Sequence, residues 1–109
     1  MNYKGYIYFI QCGELFKVGA TVDVYRRLHN IQTCNPMPVE LFHKIKSDNM
    51  RLTEKLFQDR FGRIQRCGEW FELTPADLKY IKAGKYSQEI IESIGAANDL
   101  LTMPDLIAM

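Results

Sequence analysis

The stretch YKGYIYFIQCGELFKVGATVDVYRRLHNIQT, residues 3–33, decides the fold. Its first nine residues are rich in aromatic and β-branched side chains, which suit an extended strand. Alternation places Tyr6, Tyr8 and Ile10 on one face and Ile7 and Phe9 on the other. Cys12-Gly13-Glu14 is a turn signal, so Leu15–Gly19 is expected to return antiparallel as the second arm of a hairpin. Gly19 ends that arm without a side chain, which lets backbone or ligand come close. Asp23 then N-caps a helix over 24–33 whose buried stripe is Val24, Leu28 and Ile31. Arg27 falls about 60° from the centre of that stripe and Arg26 nearly opposite. Geometry therefore selects Arg27 to look along the sheet, and sends Arg26 to solvent.

Downstream, Thr33–Val39 contains Asn35, Pro36 and Pro38 and reads as a loop. Glu40–Ile45 is a third strand. A second helix is expected over 49–62, capped by Ser47 or Asp48, with Met50, Phe57 and Phe61 as its apolar stripe. Glu54 falls on that same stripe. A carboxylate there is costly unless something compensates it, and two readings stand: an ion pair or wet helix edge, and a metal ligand. Cys67–Leu73 is a short extended segment whose Trp70 and Phe71 fill the core. Thr74 caps a short helix with Pro75 at its first position and Gly84 as terminator. A last helix is expected from Ser87 to about Leu101, broken by Pro104. Gly84 marks the seam between a body, residues 1–84, and a helical tail, residues 85–109. The tail's Ile90, Ile91, Ile94, Leu100 and Leu101 either pack on the body or pair two chains as a homodimer.

The bulk composition narrows the class. A chain of 109 residues with 47% hydrophobic content builds one modest core. No run of eighteen apolar residues is present, and the first residues lack a leader pattern, so the expectation is cytoplasmic. Cys12, Cys34 and Cys67 are odd in number and widely spaced, and are read as reduced thiols. Zinc bound through them with His29 and His43 is disfavoured, because no Cys-x-x-Cys pair exists. Net charge is +1, but residues 1–70 carry eleven Lys/Arg against seven Asp/Glu, and residues 71–109 carry three against six. A basic body with an acidic tail fits a surface that faces phosphate, and equally an ordinary solvated surface.

The order of these residues suggests phosphodiester chemistry. Hydrolysis of a phosphodiester needs a base, cationic charge for the transition state and usually a carboxylate that holds a metal. Tyr8 would take the proton from the attacking water, and Lys17 and Arg27 would favour its phenolate and stabilise charge on phosphate. Glu54 would hold one divalent cation, Mg²⁺ or Mn²⁺, with water and a phosphate oxygen completing the shell. Tyr6, two residues from Tyr8 on the same strand face, is the second phenol. Arg26, His29, Gly19 and Thr21 complete the set of candidate nucleic-acid contacts, with His29 also readable as a plain surface histidine.

These motifs together resemble the GIY-YIG endonuclease superfamily. Tyr6-Ile7-Tyr8 stands for the first motif and Lys17-Val18-Gly19 for the second. GATVDVYRRLHNIQ resembles the segment that follows, with Arg27 at the catalytic arginine. MRLTEKLFQDRF resembles the helix bearing the metal-binding glutamate, which lands on Glu54. Gly68-Glu69-Trp70-Phe71 resembles the ending of a subgroup of small members, in which lysine commonly replaces the second tyrosine. The resemblance covers about residues 5–73. It implies a mixed α/β (α+β) fold with a three-stranded antiparallel sheet flanked by helices, and metal-dependent cleavage of DNA with Tyr8 as general base. Tyr6 in place of the first glycine, Lys17 in place of a phenol, and the lack of a late asparagine are departures from the pattern. With no additional DNA-binding domain in sight, sequence specificity is not expected. Two other functions remain open at this point: a nucleic-acid-binding module with weak catalysis, and a small interaction protein that uses its C-terminal helix.

Overall fold

The hairpin of residues 3–33 forms the middle of the molecule. The computed structural model describes residues 3–62, 65–67 and 70–95. Strands β1 (Gly5–Cys12) and β2 (Leu15–Thr21) pair antiparallel from Tyr6↔Thr21 to Cys12↔Leu15. Gly13 takes a φ of 60° in the two-residue turn between them, a left-handed value that glycine adopts without steric cost. β2 continues two residues beyond Gly19, because Ala20 and Thr21 still pair with Ile7 and Tyr6.

Helix α1 (Val24–Thr33) starts where expected, with the Asp23 carboxylate accepting the Arg26 N–H at 3.1 Å. Strand β3 (Glu40–Ser47) pairs antiparallel with the other edge of β1. A bulge there leaves Phe42 as the extra residue between the Phe9↔His43 and Ile10↔Leu41 pairs. It turns both Phe42 and His43 toward one layer: Phe42 packs on the main core and the His43 ring lies 6.2 Å from that of Phe9. Strands β4 (Gln65–Cys67) and β5 (Trp70–Glu72) add a short second hairpin, giving the order β3-β1-β2-β5-β4. The sheet thus has five antiparallel strands where three were expected. On β2, the pairing with β5 reaches only Leu15, Phe16 and Lys17, so among the described residues no strand lies along that edge of β2 from Val18 onward.

Two layers of different size cover the sheet. On one face α1 buries Val24, Leu28 and Ile31 against Tyr8 and Ile10. The other face carries Ile7, Phe9, Val18 and Ile45 and is covered by helices α2 (Met50–Phe61), α3 (Pro75–Ala83) and α4 (Gln88–Ile94). Phe57 lies edge-on to Phe9 at 5.2 Å and to Tyr86 at 5.2 Å, at the centre of this layer. Burial, with Tyr80 alongside, pushes the Tyr86 phenol well above its usual range, and its hydroxyl donates to the Ile81 carbonyl.

Local corrections follow from packing. Asn49, not Ser47 or Asp48, caps α2, accepting from the Leu52 N–H at 3.4 Å. Ser47 is fully buried instead and bonds the Thr53 hydroxyl at 2.8 Å. The inner stripe of α2 is therefore Met50, Thr53, Phe57 and Phe61, with Glu54 half-buried at its border. Thr74 and Asp77 form a reciprocal capping box on α3, Pro75 follows, and Gly84 ends the helix at φ 76°. α4 stops at Ile94 rather than near Leu101, because Gly95 turns the backbone to φ 66°. Leu100, Leu101 and Pro104 lie outside the described residues, as do Gly68 and Glu69. Tyr86, Ile90 and Ile94 belong to the main core, which therefore does not stop at Gly84.

Candidate active site

Strand pairing assembles the site. Residues directly opposite in an antiparallel pair share a face, so Tyr6 meets Thr21, Tyr8 meets Gly19, and Ile10 meets Lys17, all on the α1 side of the sheet. Tyr8 is 2% exposed, and its ring lies across Gly19. A Cβ at Gly19 would collide with the Tyr8 hydroxyl and the adjoining ring carbon. The missing side chain is what lets the phenol cross β2. Thr21 has its hydroxyl engaged by the turn into α1, accepting from the Asp23 N–H at 3.2 Å.

Arg27 projects from the flank of α1 that overlooks β2. With Lys17, Asn30 and Trp70 it lines a hollow of about 300 Å³. The Lys17 ammonium lies 5.3 Å from the centre of the Trp70 ring, its neighbour across the β2–β5 pairing. Trp70 is half-buried in this hollow and not in the core, whereas Phe71, facing the other way, is 1% exposed within the main core. Alternation along β5 requires that division. Arg26 and His29 are exposed on α1, roughly opposite its buried stripe and outside the lining of this hollow.

Glu54 arrives from the other layer. α2 packs under the sheet through Phe57, and its Gln58 donates to the Val18 carbonyl at 2.8 Å. That carbonyl lies on β2 just beyond its pairing with β5, so α2 borders the edge that no described strand occupies there. Glu54 lies one turn before Gln58 on the same side of the helix, half-buried. The sheet thus unites Tyr6, Tyr8, Lys17, Gly19 and Thr21 on the face that α1 and its Arg27 overlook, and Glu54 stands on α2 one turn from the Gln58 contact to β2.

Several residues of this face escaped the sequence reading. Lys44 and Lys46 on β3 stand opposite Tyr8 and Tyr6. Lys44 lies 5.3 Å from the Tyr6 ring centre and 4.9 Å from that of Tyr25. Their alternation with buried Ile45 and Ser47 was the available signal. Asn30 and Asn35 carried no such signal, since only the fold brings the helix and its following loop over β5.

Among the described residues no three His, Cys, Asp or Glu side chains converge, and Glu54 is the carboxylate on α2 that could hold a cation with water completing the shell.

Residues 5–84 match the model of the T5orf172 domain. The chain belongs to the T5orf172 family. This is a nuclease-related family, and the match runs from β1 through α3, so every candidate residue lies inside it. No curated protein and no solved structure matches the chain. No described helix of this T5orf172 protein is long and apolar enough to cross a membrane.

Proposed function

We propose that this T5orf172 protein is a metal-dependent endonuclease of the GIY-YIG type that hydrolyses phosphodiester bonds in DNA. The observation that carries the reading is Tyr8 laid across Gly19 on the sheet face that also holds Lys17 and that Arg27 overlooks from α1. A phenol is a poor base at neutral pH because its ordinary pKa is near 10, and positive charge close by favours the phenolate. In this scheme the phosphate lies in the hollow between Lys17 and Arg27. Tyr8 accepts the proton of the attacking water as its oxygen bonds to phosphorus and the opposite P–O bond breaks. Arg27 and Lys17 hold the equatorial phosphate oxygens as negative charge builds on them. Glu54 would hold Mg²⁺ or Mn²⁺, which when bound neutralises phosphate charge. Tyr6 orients the substrate from the adjoining strand position.

The test is nicking of a supercoiled plasmid and of single-stranded DNA with Mg²⁺ or Mn²⁺. Glu54→Ala and Arg27→Ala are each expected to lower the rate at least about 100-fold, the scale of losing a transition-state charge contact. Salt-sensitive retention of DNA without cutting would instead identify a binding module.

A further inference from the structure

We infer that the structure contains a nucleobase subsite next to the phosphate hollow, which makes an unpaired DNA strand the substrate class. The inference rests on the nuclease reading for the identity of the polymer, and on separate residues for the subsite. A second hollow of about 280 Å³ is lined by Cys12, Leu15, Asn35 and Trp70. It adjoins the hollow of Lys17 and Arg27, and Trp70 and Asn35 line both. Cationic charge for a phosphate and an aromatic wall for a base thus stand side by side, as nucleotide binding requires.

Asn35 is held in one orientation. Its Oδ1 accepts the Met37 backbone N–H at 3.1 Å and the Cys12 thiol at 3.8 Å. A backbone N–H can only donate, so the oxygen of the carboxamide must be the atom facing it and the amino group must point away. The loop that carries Asn35 is clasped by Gln32, which donates to the Asn35 and Met37 carbonyls and accepts the Val39 N–H at 2.8 Å. Two N–H donors are therefore presented on a rigid mount beside an indole. A base stacked on Trp70 with its edge toward Asn35 has given up a neighbour in the stack and its pairing partner. Single-stranded or splayed DNA meets that condition and a matched duplex does not.

Trp70 is the sole tryptophan of the chain, so its emission reports the subsite directly. The unmodified protein in EDTA, where no metal-dependent cutting occurs, is titrated with a ten-residue oligothymidylate and with a ten-base-pair duplex. Saturable quenching by the single strand and little by the duplex is expected. Anisotropy of the labelled strand should show binding weakened about 10-fold or more by Trp70→Ala and nearly unchanged by Trp70→Phe. Asn35→Ala should cost about 5-fold. Binding of the labelled strand without any change in Trp70 emission would overturn the subsite, and so would equal quenching by the duplex. Plasmid cutting without quenching removes the subsite and leaves the nuclease reading, whereas quenching without cutting does the reverse.

Discussion

Gly19 shows how one absent side chain can organise a site. It is not among the described glycines with positive φ, so alanine is conformationally acceptable there and would ordinarily stabilise the chain slightly. Space forbids it, because the new methyl group would enter the Tyr8 ring. Gly19→Ala is expected to cost about 1–3 kcal/mol by urea unfolding and to cut plasmid nicking further than stability loss explains. Unchanged stability and unchanged nicking would refute the packing described for Tyr8. His43 is a second case. Burial lowers its pKa below 6.5, with the Lys82 charge assisting. The unfolded chain therefore binds a proton more readily than the folded one, and stability falls as pH drops below about 6.5 until the folded-state pKa is passed. His43→Gln should flatten the difference in Tm between pH 5 and pH 7.5, and an identical slope in that variant would count against this origin.

At the scale of elements, α4 shows that a family boundary and a core boundary differ. The T5orf172 match ends at Gly84, yet Tyr86, Ile90 and Ile94 are 6%, 2% and 0% exposed in the main core. A buried set of hydroxyls also ties α4 to α2 and β3: Thr53 bonds Ser93 at 2.6 Å and Ser47 at 2.8 Å, and Ser93 donates to the Ile90 carbonyl at 2.6 Å. Cutting the chain after Gly84 would expose Phe57 and leave Ser47 and Thr53 without Ser93. Such a truncation is expected to lose cooperative unfolding by circular dichroism, and Ile94→Ala in the full chain should cost about 2–5 kcal/mol. A truncated chain with an unchanged Tm would show that α4 is dispensable.

For the whole molecule, charge is arranged by face more than by segment. Lys17, Arg27, Lys44 and Lys46 come from three separate elements, β2, α1 and β3, and meet on the α1 side of the sheet or along its flank. Neither Lys44 nor Lys46 lines the hollow of Lys17 and Arg27, so they should contribute chiefly to DNA affinity. Replacing both by alanine is expected to weaken DNA binding several-fold and to reduce the slope of log K against log salt by about 2. The nicking rate at saturating DNA should stay near that of the unmodified protein. A slope unchanged by the double substitution would show that DNA leaves this part of the face uncovered.

Local rules carried much of this structure. Alternation and turn chemistry in residues 3–33 specify the hairpin, the Asp23 cap and the stripe of α1, because each depends on neighbours within a few positions. The placing of Tyr6, Tyr8 and Ile10 on one face follows from the same period. Asn49 as a cap, Thr53 in place of Glu54 on the inner stripe, and Trp70 outside the core depended instead on which surfaces met across the sheet. Glu54 illustrates the difference most clearly. Helical spacing sets it on the apolar stripe, but only the docking of α2 against β2 moves it to the stripe's border, since that contact joins residues about forty positions apart. Pairing over such distances is set by the packing of the complete core, and no window of sequence contains it.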